Sequence, residues 1–64
     1  MNVKMLKIII DVNEIQTKEL AKKLNMSHKS LNDRLDNKVQ FKLDELFTLI
    51  NILEIRNPEI LFSM

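Results

Sequence analysis

Thr17-Lys18-Glu19-Leu20-Ala21-Lys22-Lys23-Leu24-Asn25-Met26-Ser27-His28-Lys29-Ser30-Leu31-Asn32-Asp33-Arg34-Leu35 is the stretch on which the reading of this chain turns. It holds two short apolar periods at helical spacing, Leu20-Ala21-Leu24 and Leu31-Leu35, separated by Asn25-Met26-Ser27. Two helices that cross closely need a small residue at the crossing, apolar contacts at set distances, and a turn residue that accepts a positive φ. Ala21, Leu20 with Leu24, and Asn25 meet those needs in order, while Met26 plugs the turn and Leu31 anchors the second helix on the first. Ser27 is a good N-cap for the second helix, because its hydroxyl can accept from an otherwise unpaired backbone N–H. Thr17 is the candidate cap of the first helix, and Glu19 suits the positive end of its dipole.

Outward from this stretch, glycine is absent and proline occurs once, at Pro58. Helices must therefore end on other residues that tolerate a left-handed backbone, and asparagine is the natural substitute. Asn13, Asn25, Asn37 and Asn57 each fall where an apolar period breaks. With the loop before Leu43 they divide the chain into five helices, at about 3–12, 17–24, from Ser27 to about Asp36, 43–54, and from Pro58 onward. The first sets Val3, Leu6, Ile9 and Ile10 on one face, with Met5, Ile8 and Val12 opposite. Ile8-Ile9-Ile10 would also suit a β-strand, although no partner strand is evident elsewhere. The fourth is expected to bury Leu43, Leu46, Phe47, Ile50 and Leu53 and to turn Asp44, Glu45, Thr48 and Asn51 outward. Asn57-Pro58 reads as a cap followed by a proline at the first helical position, with Ile60, Leu61 and Phe62 beyond.

A chain of 64 residues makes one domain with one small core, near the lower limit for folding without metals, disulfides or a partner. Cysteine is absent, which removes disulfides, thiolate metal sites and cysteine nucleophiles and suits a reducing compartment. No apolar run is long enough to span a bilayer and no signal-peptide pattern opens the sequence, so a cytoplasmic protein without a membrane partner is expected. The net charge of +1 conceals an uneven distribution: residues 1–17 are balanced, residues 18–42 carry +4 and residues 43–64 carry −3. The middle of the chain is the basic part. Enzymatic chemistry is not expected. Ser27 caps its own helix, no acid is placed to orient the single histidine, His28, and neither a metal cluster nor a glycine-rich phosphate loop is present. No cofactor and no small-molecule substrate are expected.

The stretch from Thr17 to Leu35 resembles the Cro/repressor-like family of phage helix-turn-helix regulators, with its Leu-Ala pair, inter-helix turn and Ser-capped second helix. Leu35-Asp-Asn-Lys-Val-Gln-Phe-Lys-Leu-Asp-Glu-Leu-Phe47 is similar to the following loop and the start of the fourth helix in small phage repressors, so the likeness covers nearly the whole chain. Asn25 stands where the family has glycine, and Arg34 where an apolar residue is common. The resemblance implies an all-α, five-helix domain spanning 1–64, with the helix-turn-helix at about 17–36 and its second helix entering the major groove. On that reading His28, Lys29 and Asn32 are base-reading candidates, with Ser30 and Asp33 in reach. Thr17, Asn37, Lys38 and Lys42 lie where family members grip phosphate. The short length implies the Cro-like type or an isolated DNA-binding domain.

Plainer readings stand beside these. Leu20, Leu24, Met26, Leu31, Leu35, Phe41, Phe47 and Ile50 are core residues first, Lys22 and Lys23 suit a solvated face, and His28 suits a surface histidine. Apolar residues in excess of one core point to a homodimer through the fifth helix and part of the fourth, using Leu49, Ile52, Ile60, Leu61, Phe62 and Met64. The leading expectation is a regulator of double-stranded DNA acting as a homodimer on a palindromic operator. The alternative is a protein-interaction module on the same scaffold, such as an antitoxin, an anti-repressor or an inhibitor of a host defence system.

Overall fold

A computed structural model describes residues 2–62 and consists of α1 (Val3–Val12), α2 (Thr17–Lys23), α3 (His28–Leu35), α4 (Leu43–Ile52) and α5 (Glu59–Phe62). It is all-helical, with no strand among the described residues, and Ile8-Ile9-Ile10 lies inside α1. Helix starts follow side-chain chemistry. The Met5 N–H donates to Asn2 Oδ1 (3.0 Å), the Ser30 N–H to Ser27 Oγ (3.1 Å), and the Lys42 N–H to Glu45 Oε1 (2.9 Å). Each bond satisfies a donor that the first helical turn leaves unpaired. At α2 the cap position belongs to Gln16, which makes no side-chain capping bond, and Thr17 is the first helical residue rather than the cap.

The first four helices all stop in one way. Their final turns are closed by a pair of backbone bonds, Glu14 N–H to Asp11 O with Ile15 N–H to Ile10 O, and Asn25 to Lys22 with Met26 to Ala21. The other two are Asn37 to Arg34 with Lys38 to Asp33, and Glu54 to Asn51 with Ile55 to Ile50. These are Schellman closures, which require a left-handed residue just past the helix and favour an apolar contact from the residue after it. The left-handed residues are Glu14 (φ 54°), Asn25 (58°), Asn37 (65°) and Glu54 (52°). Two of the four asparagines expected at such positions therefore occupy them. Asn13 stays one residue short, its side-chain amide donating to Ile9 O (2.7 Å), and Asn57 is replaced in the role by Glu54. Ile15, Met26 and Ile55 follow their left-handed residues and pack partly buried against the core, whereas the fourth such residue, Lys38, is exposed.

A Cβ makes the left-handed region costly, less so for asparagine than for glutamate. Asn25→Gly is accordingly expected to hold or raise stability, and Asn25→Val to lower it by more than about 1 kcal/mol. Glu54→Gly is expected to gain about 0.5–1 kcal/mol. Urea unfolding curves of the three variants measure this, and equal midpoints for the two Asn25 variants would contradict the assigned turn.

The core gathers Leu6 and Ile10 of α1, Leu20 and Ala21 of α2, Leu31 and Leu35 of α3, Leu46 and Leu49 of α4 with the adjoining Leu53, and Leu61 of α5. α2 and α3 lie against each other, and α1 touches both α3 and α5. The Asn2 N–H donates to Leu61 O (2.7 Å), tying the start of α1 to α5.

Three expectations are corrected. α4 is rotated from the expected setting: Leu49 is fully buried, while Leu43 and Phe47 are 60% and 56% exposed. Leu49 and Leu61 are thus spent inside the subunit and are unable to form a dimer surface. Ile52 is half-buried against the core, Ile60 remains at the surface, and Met64 and the side chain of Phe62 lie outside the described residues. On α1, Met5 packs against the core despite its assignment to the outer face, where Ile8 and Val12 are exposed.

Candidate nucleic-acid interface

The pairing of α2 with α3 follows from Ala21. Its methyl is buried in the core, and its carbonyl accepts from the Met26 N–H (3.0 Å) as the chain reverses toward α3. Leu31 and Leu35, four residues apart, hold the inner side of α3 in the core. Elsewhere on α3, His28, Lys29 and Asn32 are exposed, and Ser30 and Asp33 are half-buried. The three leading base-reading candidates are therefore all at the surface, with His28 beside Thr17 and Asn32 on the groove that α1 lines.

Several of these side chains already have partners. Thr17 Oγ1 and His28 Nε2 lie 2.8 Å apart, which joins the first residue of α2 to the first of α3. The Thr17 hydroxyl is thereby engaged within the protein. Lys29 Nζ pairs with Asp33 Oδ2 at 3.0 Å, with the lysine 86% exposed and the aspartate 25%. Lys29 is free to swing outward, while Asp33 is held at the flank of α3. Ser30 Oγ accepts from Ser27 Oγ at 2.9 Å, so it belongs to the helix start. Asn37, Lys38 and Lys42 are exposed in the segment between α3 and α4.

Arg34 explains its own presence among apolar positions. Its guanidinium donates through Nε to Glu45 Oε1 (2.9 Å), through Nη2 to Glu45 Oε2 (3.3 Å), and through Nη1 to the Ser30 carbonyl (3.0 Å). Both side chains are 14% exposed. Glu45 simultaneously caps Lys42, so one carboxylate fixes the end of α3, the start of α4 and the loop between them. Burial raises the pKa of Glu45, but the hydrogen bond from the Lys42 N–H, the hydrogen bonds and charge of Arg34, and the charge of Lys42 outweigh it, and the net shift is downward. Glu45 was expected on the outer face with Asp44. The available signal was its place three residues past Lys42, where a carboxylate can reach back to cap.

The link from α1 to the end of α3 has no local signature in the chain. Lys7 Nζ lies 3.5 Å from Asp36 Oδ1, both half exposed, and Ile8 and Asp11 of α1 line an open groove together with Thr17, Asn32 and Asp36. Among the described residues no group of three or more His, Cys, Asp or Glu side chains is placed to hold a metal ion, and no helix is long and apolar enough to cross a membrane. No protein-family model matches the chain, and neither the curated proteins nor the solved structures contain a match to it.

Proposed function

We propose that this chain is a Cro/repressor-like helix-turn-helix regulator that binds double-stranded DNA as a homodimer on a palindromic operator. The observation that carries the reading is the exposure of His28, Lys29 and Asn32 on α3, a helix that Leu31 and Leu35 anchor in the core. A helix of this size fits the major groove, whose base edges offer lysine the guanine O6 and N7 acceptors and asparagine a paired contact with adenine. The junction after α3 supports the same reading. Lys38 occupies the position that three other helix ends fill with an apolar anchor, and there it offers its charge to solvent and to phosphate. Asn37 beside it is left-handed and exposed. Residues 18–42, with their +4 charge, supply the attraction for a polyanion.

Selection of bound duplexes from a random pool tests the proposal, with a two-fold symmetric motif as the expected result. Lys29→Ala or Asn32→Ala should then cost about 1–3 kcal/mol at particular base pairs. Lys38→Ala should weaken binding on every sequence and reduce the salt slope by about one. Enrichment of no motif, with weak and sequence-blind binding, would overturn the DNA reading in favour of a protein-interaction module.

A further inference from the structure

Successive residues of α3 are turned by about 100°, so side chains four apart share a ridge. Three of these ridges engage the rest of the subunit. Leu31 and Leu35 are buried in the core, Arg34 of the Ser30–Arg34 ridge reaches Glu45 of α4, and the His28–Asn32 ridge meets Thr17 and the groove that α1 lines. The remaining ridge, Lys29–Asp33, lies about 160° around the helix from Leu31 and Leu35. Among the described residues its two side chains bond only to each other, Lys29 Nζ to Asp33 Oδ2 at 3.0 Å.

Asp33 is the one acidic residue of α3, set in a segment that otherwise attracts a polyanion. It is also held in place. Its side chain is 25% exposed against 86% for Lys29, and its carbonyl accepts from the Lys38 N–H (2.8 Å) and the Val39 N–H (3.3 Å). Lys29 can therefore leave the pair, whereas Asp33 is unable to follow. Departure of the ammonium strands a partly covered carboxylate beside whatever Lys29 has moved to. Next to phosphate, that carboxylate meets only negative charge. On a base edge it can be met by an exocyclic amine, cytosine N4 being the usual partner of a carboxylate, while Lys29 takes guanine O6 and N7.

We propose that Asp33 determines specificity by retaining Lys29. On duplex of the wrong sequence the pair stays closed, and Lys29 adds no phosphate contact. It opens where the bases offer acceptors to Lys29 and an amine to Asp33. Discrimination then comes from weakening the wrong complexes as much as from strengthening the right one. The role rests on the DNA-binding reading and gives Asp33 a function beyond contact with a base.

The test is fluorescence anisotropy of the full chain on a mixed-sequence duplex and on the duplex selected from a random pool, between about 50 and about 200 mM salt. Asp33→Ala should bind the mixed duplex about fivefold to tenfold more tightly at about 0.1 M salt, with a salt slope steeper by about one, as Lys29 gains a phosphate. On the selected duplex it should gain nothing, so the ratio of the two affinities falls by about fivefold or more. Repeat selection with Asp33→Ala should relax the preference at one base position. Adding Lys29→Ala to Asp33→Ala should return the mixed-duplex slope to that of the wild type. Asp33→Asn, which keeps the side-chain shape and loses the charge, should behave as Asp33→Ala. Both variants should melt close to the wild-type temperature, because an acidic residue toward the C-terminal end of a helix opposes its dipole. An equal gain on both duplexes would overturn the role, since deleting a negative charge anywhere near DNA does the same, and so would an unchanged affinity for the mixed duplex. A pool that yields no motif would remove the regulator reading and this role with it, whereas a selected motif with an unchanged affinity ratio would remove this role alone.

Discussion

Leu31→Ala is expected to leave the chain mostly unfolded at physiological temperature. Leu31 is fully buried in the core cluster, on a helix that lies against both α1 and α2. Removing such a side chain costs about 3–5 kcal/mol, because the transfer free energy is lost and the cavity closes only in part. A domain of this length has a total stability of roughly 3–10 kcal/mol, and each kilocalorie corresponds to about 4–8 °C in melting temperature. A fall of about 15–30 °C follows. The control is Leu43→Ala, the same chemistry at a position that is 60% exposed, for which the cost should stay below about 1 kcal/mol. Thermal melts followed by circular dichroism distinguish the two, and similar shifts for both would mean that the core is wrongly drawn.

Glu45→Ala should come close behind, at about 2–4 kcal/mol. The substitution strands the Arg34 guanidinium at 14% exposure and removes the cap from Lys42, so the end of α3 and the start of α4 lose their common anchor. An apolar pair, Arg34→Met with Glu45→Leu, should recover much of the loss, since desolvation offsets most of what a covered ion pair contributes. The pH dependence has a definite sign. The folded pKa of Glu45 lies below its ordinary value of 4.5, so its contribution is fully present above that value and is lost as pH falls through the lower folded value. Acid unfolding of the wild type should therefore include a component below about pH 4.5 that Glu45→Gln lacks. Superimposable acid transitions for the two proteins would refute the role assigned to this carboxylate.

Much of this architecture could be read from local signals. Ser27 accepts from the Ser30 N–H, Asn25 is left-handed, Ala21, Leu31 and Leu35 are buried, and His28, Lys29 and Asn32 are exposed. These features depend on a few neighbouring residues and on helical periodicity alone. The rotation of α4 was harder because the helix carries two apolar stripes at equally good spacing, Leu43-Phe47-Ile50 and Leu46-Leu49-Leu53. Periodicity is unable to choose between them. In the setting adopted, Glu45 meets Arg34 from eleven residues away, Leu49 lies inside and Phe47 outside, and none of these is a local property of the helix. Likewise, Glu14 and Glu54 sit at left-handed positions for which glutamate has no special liking. Residue preference alone therefore does not locate those two stops.

The repeated helix stop, made four times without glycine, acts on the denatured chain as well as the native one. A residue with a Cβ wanders over less backbone space than glycine when unfolded, so fixing these junctions sacrifices less disorder, and the strain at Glu14 and Glu54 is partly offset there. Each stop also closes over only six residues, a span that coils shut in well under a microsecond. Assembly can therefore proceed between neighbours in sequence, the regime of small helical proteins that fold in microseconds to milliseconds. The same short reach lets individual segments open without the rest, and amide exchange should be fastest where each helix hands over to the next.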